Sequence, residues 1–224
     1  MAACSRHARC RGYSSAAKPS RLTPHVPARG LDSQQAALYN TILEDRKKTG
    51  AGAGFSVQNQ DGSLGGPWNA WVGSPLIGAI MERLAYHCRH SSTCAADLME
   101  VGILVVGAHW RSQFEWYAHE KLALKAGVLP EALEDIRMGV PAEQARAMTE
   151  AQQAVYAYAL ELHSKKRVSE TKHAQALKAL GGEQQLIDLL YAMGLYSSIS
   201  MQLNAFCVPL PPGEPLPFPE ESAE

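Results

Sequence analysis

Apolar residues recur at three- and four-residue spacing over most of the chain after residue 32, as in amphipathic helices. After Ser74 and Pro75, which resemble a helix start, Leu76, Ile80 and Leu84 follow this spacing. No segment between the Gly and Pro residues shows the alternation of apolar and polar residues that is typical of a strand. The pattern predicts one all-α domain with a loop over residues 50–73. The predicted helices cover about residues 32–48, 75–89, 94–105, 112–127, 130–138, 143–165, 169–181 and 183–206.

The two ends of the chain differ from this helical body. Residues 1–31 contain six Arg and Lys residues and no Asp or Glu, whereas the rest has 15 basic and 22 acidic residues. An acid-free, Arg- and Ser-rich start is typical of an organelle transit peptide, and Arg11 is placed as in a mitochondrial processing site cut after Tyr13. We therefore expect a leader and linker over 1–31, the helical domain over 32–210 and a Pro-rich tail over 211–224. The predicted location is mitochondrial, or cytoplasmic if the leader is only a basic tail.

Composition excludes several classes of function. The net charge of −1 argues against a strongly basic nucleic-acid binder. No run approaches the roughly 18 apolar residues of a membrane-spanning helix. The body contains Cys88, Cys94 and Cys207, an odd number without a Cys-x-x-Cys motif, which argues against a disulfide scaffold and a zinc site. We expect no nucleic-acid or membrane partner, and no metal site.

Three residues with acid–base chemistry lie on two successive predicted helices. Glu115 and His119 are four residues apart and share a helical face. In one straight helix Glu100 would be about 22 Å from Glu115, at roughly 1.5 Å per residue, but a break over residues 107–112 would let the two helices fold back and bring the three together. A second interpretation is a capping box, in which Glu115 only bonds back to Ser112. Near a helix N-terminus, Glu115 is expected to stay ionised.

The spacing of Glu100, Ser112, Glu115 and His119 resembles the signature of the carboxymuconolactone decarboxylase and alkyl-hydroperoxidase-D-like (AhpD-like) family. In the hydroperoxidase branch of that family, Ser112 and Glu115 would be the two cysteines of a Cys-x-x-Cys motif. In the decarboxylase-like branch the second position is commonly Glu, as here. The resemblance covers about residues 33–210. It includes GPWNA at 66–70, KAG at 125–127 and LNAF at 203–206.

The resemblance implies a lyase without a cofactor that decarboxylates a small carboxylated lactone or ring acid. His119 would donate and accept the proton, Glu100 would orient it, and Glu115 would tune His119 or position the substrate. The family's usual assembly implies a homotrimer or homohexamer. The residues predicted to bind the substrate are Arg111, His109, Trp116 and Ser112.

Two other classes of function remain open at this point. An AhpD-like peroxidase or other oxidoreductase would depend on the remaining cysteines, because thiol peroxide reduction needs a thiolate and a resolving thiol and neither Ser112 nor Glu115 supplies one. A catalytically silent oligomeric binding protein would keep the fold, and its function would survive the loss of His119.

Overall fold

The computed structural model describes residues 19–48 and 56–219. Within these ranges the chain forms nine α-helices and no strand, so the all-α prediction is confirmed. The helices are α1 (Ser33–Lys48), α2 (Trp68–Gly73), α3 (Pro75–His90), α4 (Ala96–His109), α5 (Gln113–Lys125), α6 (Pro130–Met138), α7 (Glu150–Lys165), α8 (Glu170–Leu180) and α9 (Glu183–Ala205).

Helix α4 lies at the centre of the core because almost all of its side chains are apolar. Val101, Leu104 and Val106 are fully buried, and the helix packs against α5, α6, α7 and α9. A helix that is apolar on every face is stable only when it is surrounded. Gly102 lets α9 come close, since a Cβ there would lie 2.6 Å from Cδ1 of Leu189. Of the two acidic residues of α4, Asp97 lies in the first turn and is half-buried, whereas Glu100 is buried in the core.

Two predictions about the helices are wrong, one a missed helix and the other a helix start. Residues 68–73 were expected in a loop but form the short helix α2, and residues 50–55 of that loop lie outside the described residues. Helix α7 begins at Glu150 and not near residue 143, because Thr149 and Gln152 form a capping box there, with bonds of 3.2 and 3.1 Å. Helix α1 begins next to the predicted residue 32, and Asp32 caps it by accepting backbone N–H bonds from Gln34 and Gln35.

The Pro-rich tail wraps along α5 as far as it is described. The side chain of Gln113 donates to the carbonyl of Phe218 at 2.7 Å and accepts from its N–H at 3.0 Å. Phe218 is buried and lies edge-on to Trp116, with ring centroids 5.5 Å apart. Arg137 donates to the carbonyl of Pro217. The tail thus covers one side of the helix that carries Glu115 and His119.

The end of the predicted leader is attached to the helical body. Asn69 of α2 accepts a bond from the N–H of His25 and donates to the carbonyl of Thr23. The N–H of Arg21 donates to the carbonyl of Phe206 at 2.8 Å. The predicted processing site at residues 11–14 lies outside the described residues. No helix in the described part of the chain combines the length and apolar character needed to cross a membrane.

Candidate active site

A tight turn after α4 sends α5 back along it. The N–H of Ser112 bonds to the carbonyl of Gly107 at 2.9 Å, and the N–H of Arg111 bonds to that of Ala108 at 3.0 Å. This pair of bonds is a Schellman motif, and Arg111 takes the left-handed position with a φ of 48°. The two helices therefore pack side by side, and residues 19 positions apart in sequence can meet.

The structure brings Glu100, Glu115 and His119 together. Nδ1 of His119 lies 2.7 Å from Oε2 of Glu100, at hydrogen-bond distance. Its other nitrogen, Nε2, lies 3.4 Å from Oε2 of Glu115. The three residues are between 4 and 8% exposed. The imidazole is thus held between two buried carboxylates, one in each direction.

Burial and the neighbouring charges shift the pKa of both residues on α5. Burial raises the pKa of Glu115 to about 7, although the positive charges of His119 and Arg89 oppose this shift. Burial by itself would lower the pKa of His119, but the charge and hydrogen bond of Glu100, followed by the charge of Glu115, outweigh it, and the pKa is raised. Desolvation thus outweighs the effect of the helix N-terminus, and Glu115 is less readily ionised than the sequence analysis expects.

The capping box expected at the start of α5 does not form. Ser112 is the N-cap residue, but its hydroxyl accepts no backbone bond and, among the described residues, has no hydrogen-bond partner. Oε2 of Glu115 likewise has no hydrogen-bond partner there, and Nε2 of His119 lies 3.4 Å from it. Glu115 is directed into the site instead of back to the helix end.

Glu115 and His119 lie on the wall of a cavity of about 220 Å³. Glu100 is not part of this wall and lies behind the imidazole. Tyr196 of α9 packs edge-on against His119, with ring centroids 4.5 Å apart. The hydroxyl of Tyr196 and Nε1 of Trp71 are buried without a hydrogen-bond partner in the described structure. Other wall residues are Arg46, Trp68, Ala85, Arg89, His90, Phe114, Ala118, Leu122, Lys125 and Ile199.

The four residues predicted to bind the substrate do not line this cavity. Arg111 and Ser112 lie on a separate one next to the C-terminal tail, and Arg111 donates to the carbonyl of Pro219. Trp116 is buried against the tail. His109 is exposed and lies beside His163, with ring centroids 4.7 Å apart. The Schellman turn directs this part of the chain toward the tail and away from His119.

The wall contains cations that the sequence analysis missed. Arg46 of α1 donates two hydrogen bonds to Glu82, at 2.7 and 2.9 Å, and lies over the ring of Trp68. Arg89 lies one turn beyond the buried Ala85, on the side of α3 that faces the core. A signal existed, since Glu82, Ala85 and Arg89 follow helical spacing, and two charged residues on an otherwise apolar face need an explanation.

Two thiols of the body, those of Cys88 and Cys94, are poor candidates for redox chemistry. Burial, helped by Asp188, raises the pKa of Cys88. Burial, together with Asp188 and Asp97, raises the pKa of Cys94 to about 12. A thiol needs a lowered pKa to react as a thiolate at neutral pH. Within the described ranges no group of three or more His, Cys, Asp or Glu side chains is arranged to hold a metal ion.

No known family model matches this sequence, and a comparison with curated proteins also gives no match.

Proposed function

We propose that this protein is a carboxymuconolactone decarboxylase-like lyase that needs no cofactor and releases carbon dioxide from a small carboxylated lactone or ring acid. One observation carries the proposal. The imidazole of His119 is hydrogen-bonded to the buried Glu100 on one side, and on the other it faces Glu115 at the wall of a cavity. An imidazole held in this way can deliver and take up a proton at a fixed point.

The cavity suits a small ring better than an extended ligand. Its volume of about 220 Å³ lies below the roughly 300–1,000 Å³ of pockets that hold drug-sized molecules. Its walls include the aromatic rings of Trp68, Trp71 and Phe114, against which a flat ring can pack. His90 and Lys125 are exposed wall residues, so the cavity reaches the surface beside them.

The chemistry follows from the proton positions. In the decarboxylation, the bond between the ring carbon and the carboxylate carbon breaks, carbon dioxide leaves, and the electron pair stays on the ring as an enolate. Since Nδ1 of His119 is bonded to Glu100, Nε2 is the nitrogen that can protonate the ring carbon. Glu115, with a pKa of about 7, is next to Nε2 and can pass on a replacement proton from water. A pKa near the working pH is the best compromise for such a group.

Tyr196 is placed to stabilise the enolate. Burial raises the pKa of its phenol, so the hydroxyl keeps its proton. That hydroxyl is buried at the cavity wall without a partner among the described residues. A donor already desolvated in the free enzyme can bond to a developing enolate oxygen without reorganisation.

The test is a screen of small carboxylated lactones and ring acids for carbon dioxide release. We expect release from at least one compound with the wild-type protein, and its loss in His119→Ala with helicity unchanged by circular dichroism. His173→Ala is the matched control, because His173 is an exposed histidine on α8. Absence of release from every compound, or equal release by His119→Ala, would refute the proposal. Dithiol-dependent turnover of an alkyl hydroperoxide that needs Cys88, Cys94 or Cys207 would favour a peroxidase instead.

The proposal includes self-association as a homotrimer or homohexamer. Leu76, Ile77 and Ile80 of α3 are between 65 and 69% exposed and form neighbouring apolar side chains at one end of the helix. Exposed apolar patches of this kind often mark an interface. Light scattering coupled to gel filtration should give three or six subunits for the wild type, and a smaller assembly for Ile77→Glu. A wild-type monomer would refute this part.

A further inference from the structure

Arg89 differs from the other guanidinium group at the cavity wall. Arg46 is bound by both oxygens of Glu82 and stacks on Trp68. The Nε atoms of both residues are buried without a hydrogen-bond partner in the described structure, but Arg89, unlike Arg46, forms no ion pair there. The third cation of the wall, Lys125, is exposed to water. Arg89 is thus the partly buried cation of this wall whose charge no neighbouring side chain pairs.

A guanidinium in this situation favours an anionic ligand. Leaving a partly buried cation without an acceptor costs free energy that a ligand can recover. A carboxylate can accept two parallel N–H bonds from a guanidinium, which is the strongest geometry for this pair. Two nearby carboxylates already have partners of their own, because Glu100 is bonded to His119 and Glu82 to Arg46.

We infer that Arg89 is the residue that binds a carboxylate in this cavity and makes it prefer anionic ring compounds to neutral rings of the same shape. The inference rests on the proposed function only in taking this cavity as the substrate site. Arg89 would act as a specificity-determining residue, while the proton transfer belongs to His119. Arg89, Glu115 and His119 all line this cavity, so a carboxylate bound by Arg89 would share it with the acid–base groups.

The experiment compares matched pairs of ligands by calorimetric titration. The probes are benzoate and cyclohexanecarboxylate, each with its neutral amide, benzamide and cyclohexanecarboxamide. We expect the wild type to bind each carboxylate more tightly than its amide. In Arg89→Met the carboxylate affinity should fall by about 10- to 100-fold, as for loss of a charged hydrogen bond, while amide affinity stays within about threefold. Arg83→Met is the control, because Arg83 is an exposed residue of α3 outside this cavity.

Arg89→Lys keeps the positive charge without the planar fork, and we expect carboxylate affinity between those of the wild type and Arg89→Met. If Arg89→Met does not fold, Arg89→Lys provides the test, because its affinity for carboxylates should fall while its affinity for amides stays the same. The inference is overturned if the wild type binds neither carboxylate or shows no preference for carboxylates. It is also overturned if the Arg89 variants keep that preference, or lose amide binding equally.

The inference and the proposed function fail in different ways. An Arg89-dependent carboxylate preference without carbon dioxide release from any compound would support the inference and refute the lyase. Carbon dioxide release with unchanged kcat/KM in Arg89→Met would support the lyase and refute the role of Arg89.

Discussion

Replacing Glu115 by Gln should make the stability of the protein, relative to the wild type, rise with pH. The folded protein raises the pKa of Glu115 from 4.5 to about 7 because the side chain is buried. Between these two values the unfolded chain releases the proton while the folded chain keeps it. The contribution of Glu115 to the free energy of unfolding is therefore fully present below pH 4.5 and is lost as the pH rises through about 7.

The size of the effect follows from the shift. Each unit of pKa difference is worth about 1.36 kcal/mol, so a change from 4.5 to about 7 corresponds to about 3 kcal/mol. Gln has a similar shape but no titrating proton. The stability of Glu115→Gln relative to the wild type should rise by about 3 kcal/mol between pH 4 and pH 8, with most of the rise between 4.5 and 7.

The assay is urea unfolding at a series of pH values, followed by the fluorescence of Trp68, Trp71 and Trp116, which are buried. Glu120→Gln removes a carboxylate from the same helix without touching the cavity, and only the difference between the two variants is assigned to Glu115. A difference between Glu115→Gln and the wild type that stays constant with pH would refute the reasoning. It would mean that Glu115 is as readily ionised in the folded protein as in the unfolded chain.

Four other outcomes are expected. Glu100→Gln should lower turnover by roughly 10²–10⁴-fold with the fold intact by circular dichroism, since it holds Nδ1 of His119; unchanged turnover would contradict this. Phe218→Ala should cost about 3 kcal/mol in urea unfolding, because it removes a buried ring from the tail; a loss below about 1 kcal/mol would show that the tail adds little. Ser112→Ala should be neutral or slightly stabilising in the same assay, since its buried hydroxyl has no partner in the described structure. A reporter fused to residues 1–31 should enter mitochondria, and a diffuse cytosolic signal would argue against a leader.

Helices bounded by strong local signals could be predicted from the sequence. Pro130 at the first position and Gly139 with a φ of 65° define α6, and Gly181 with a φ of 92° ends α8. Both glycines adopt left-handed conformations that other residues rarely take, so the local signal and the fold agree. Helix α2 has no comparable signal, since its six residues are held by the burial of Trp68 and Trp71. That burial depends on packing against α1 and α3, which a six-residue window of sequence does not show.

The candidate site likewise combines residues that local sequence signals bring together and residues that only the packing of separate helices brings in. Glu100, Glu115 and His119 could be placed together because a single tight turn separates their helices, and spacing within one helical hairpin is a local property. Arg89 of α3 precedes Glu115 by 26 residues, and Tyr196 of α9 follows His119 by 77. Their arrival at the cavity depends on how α3 and α9 pack together and on the approach of α9 to α4, which periodicity along one helix does not determine.

Two similar four-residue patterns illustrate why a local rule can fail at a site. Thr149 and Gln152 form a capping box as the rule predicts, whereas Ser112 and Glu115, with the same spacing, do not. A capping Glu gains a backbone hydrogen bond and stays near water. Glu115 instead lies buried with a raised pKa beside His119. The unformed cap, the orphaned Ser112 hydroxyl and the desolvated carboxylate are all unfavourable for stability, and such departures from local consistency are expected where function constrains the residues. The broken capping rule at α5 is thus itself an argument that Glu115 serves the cavity.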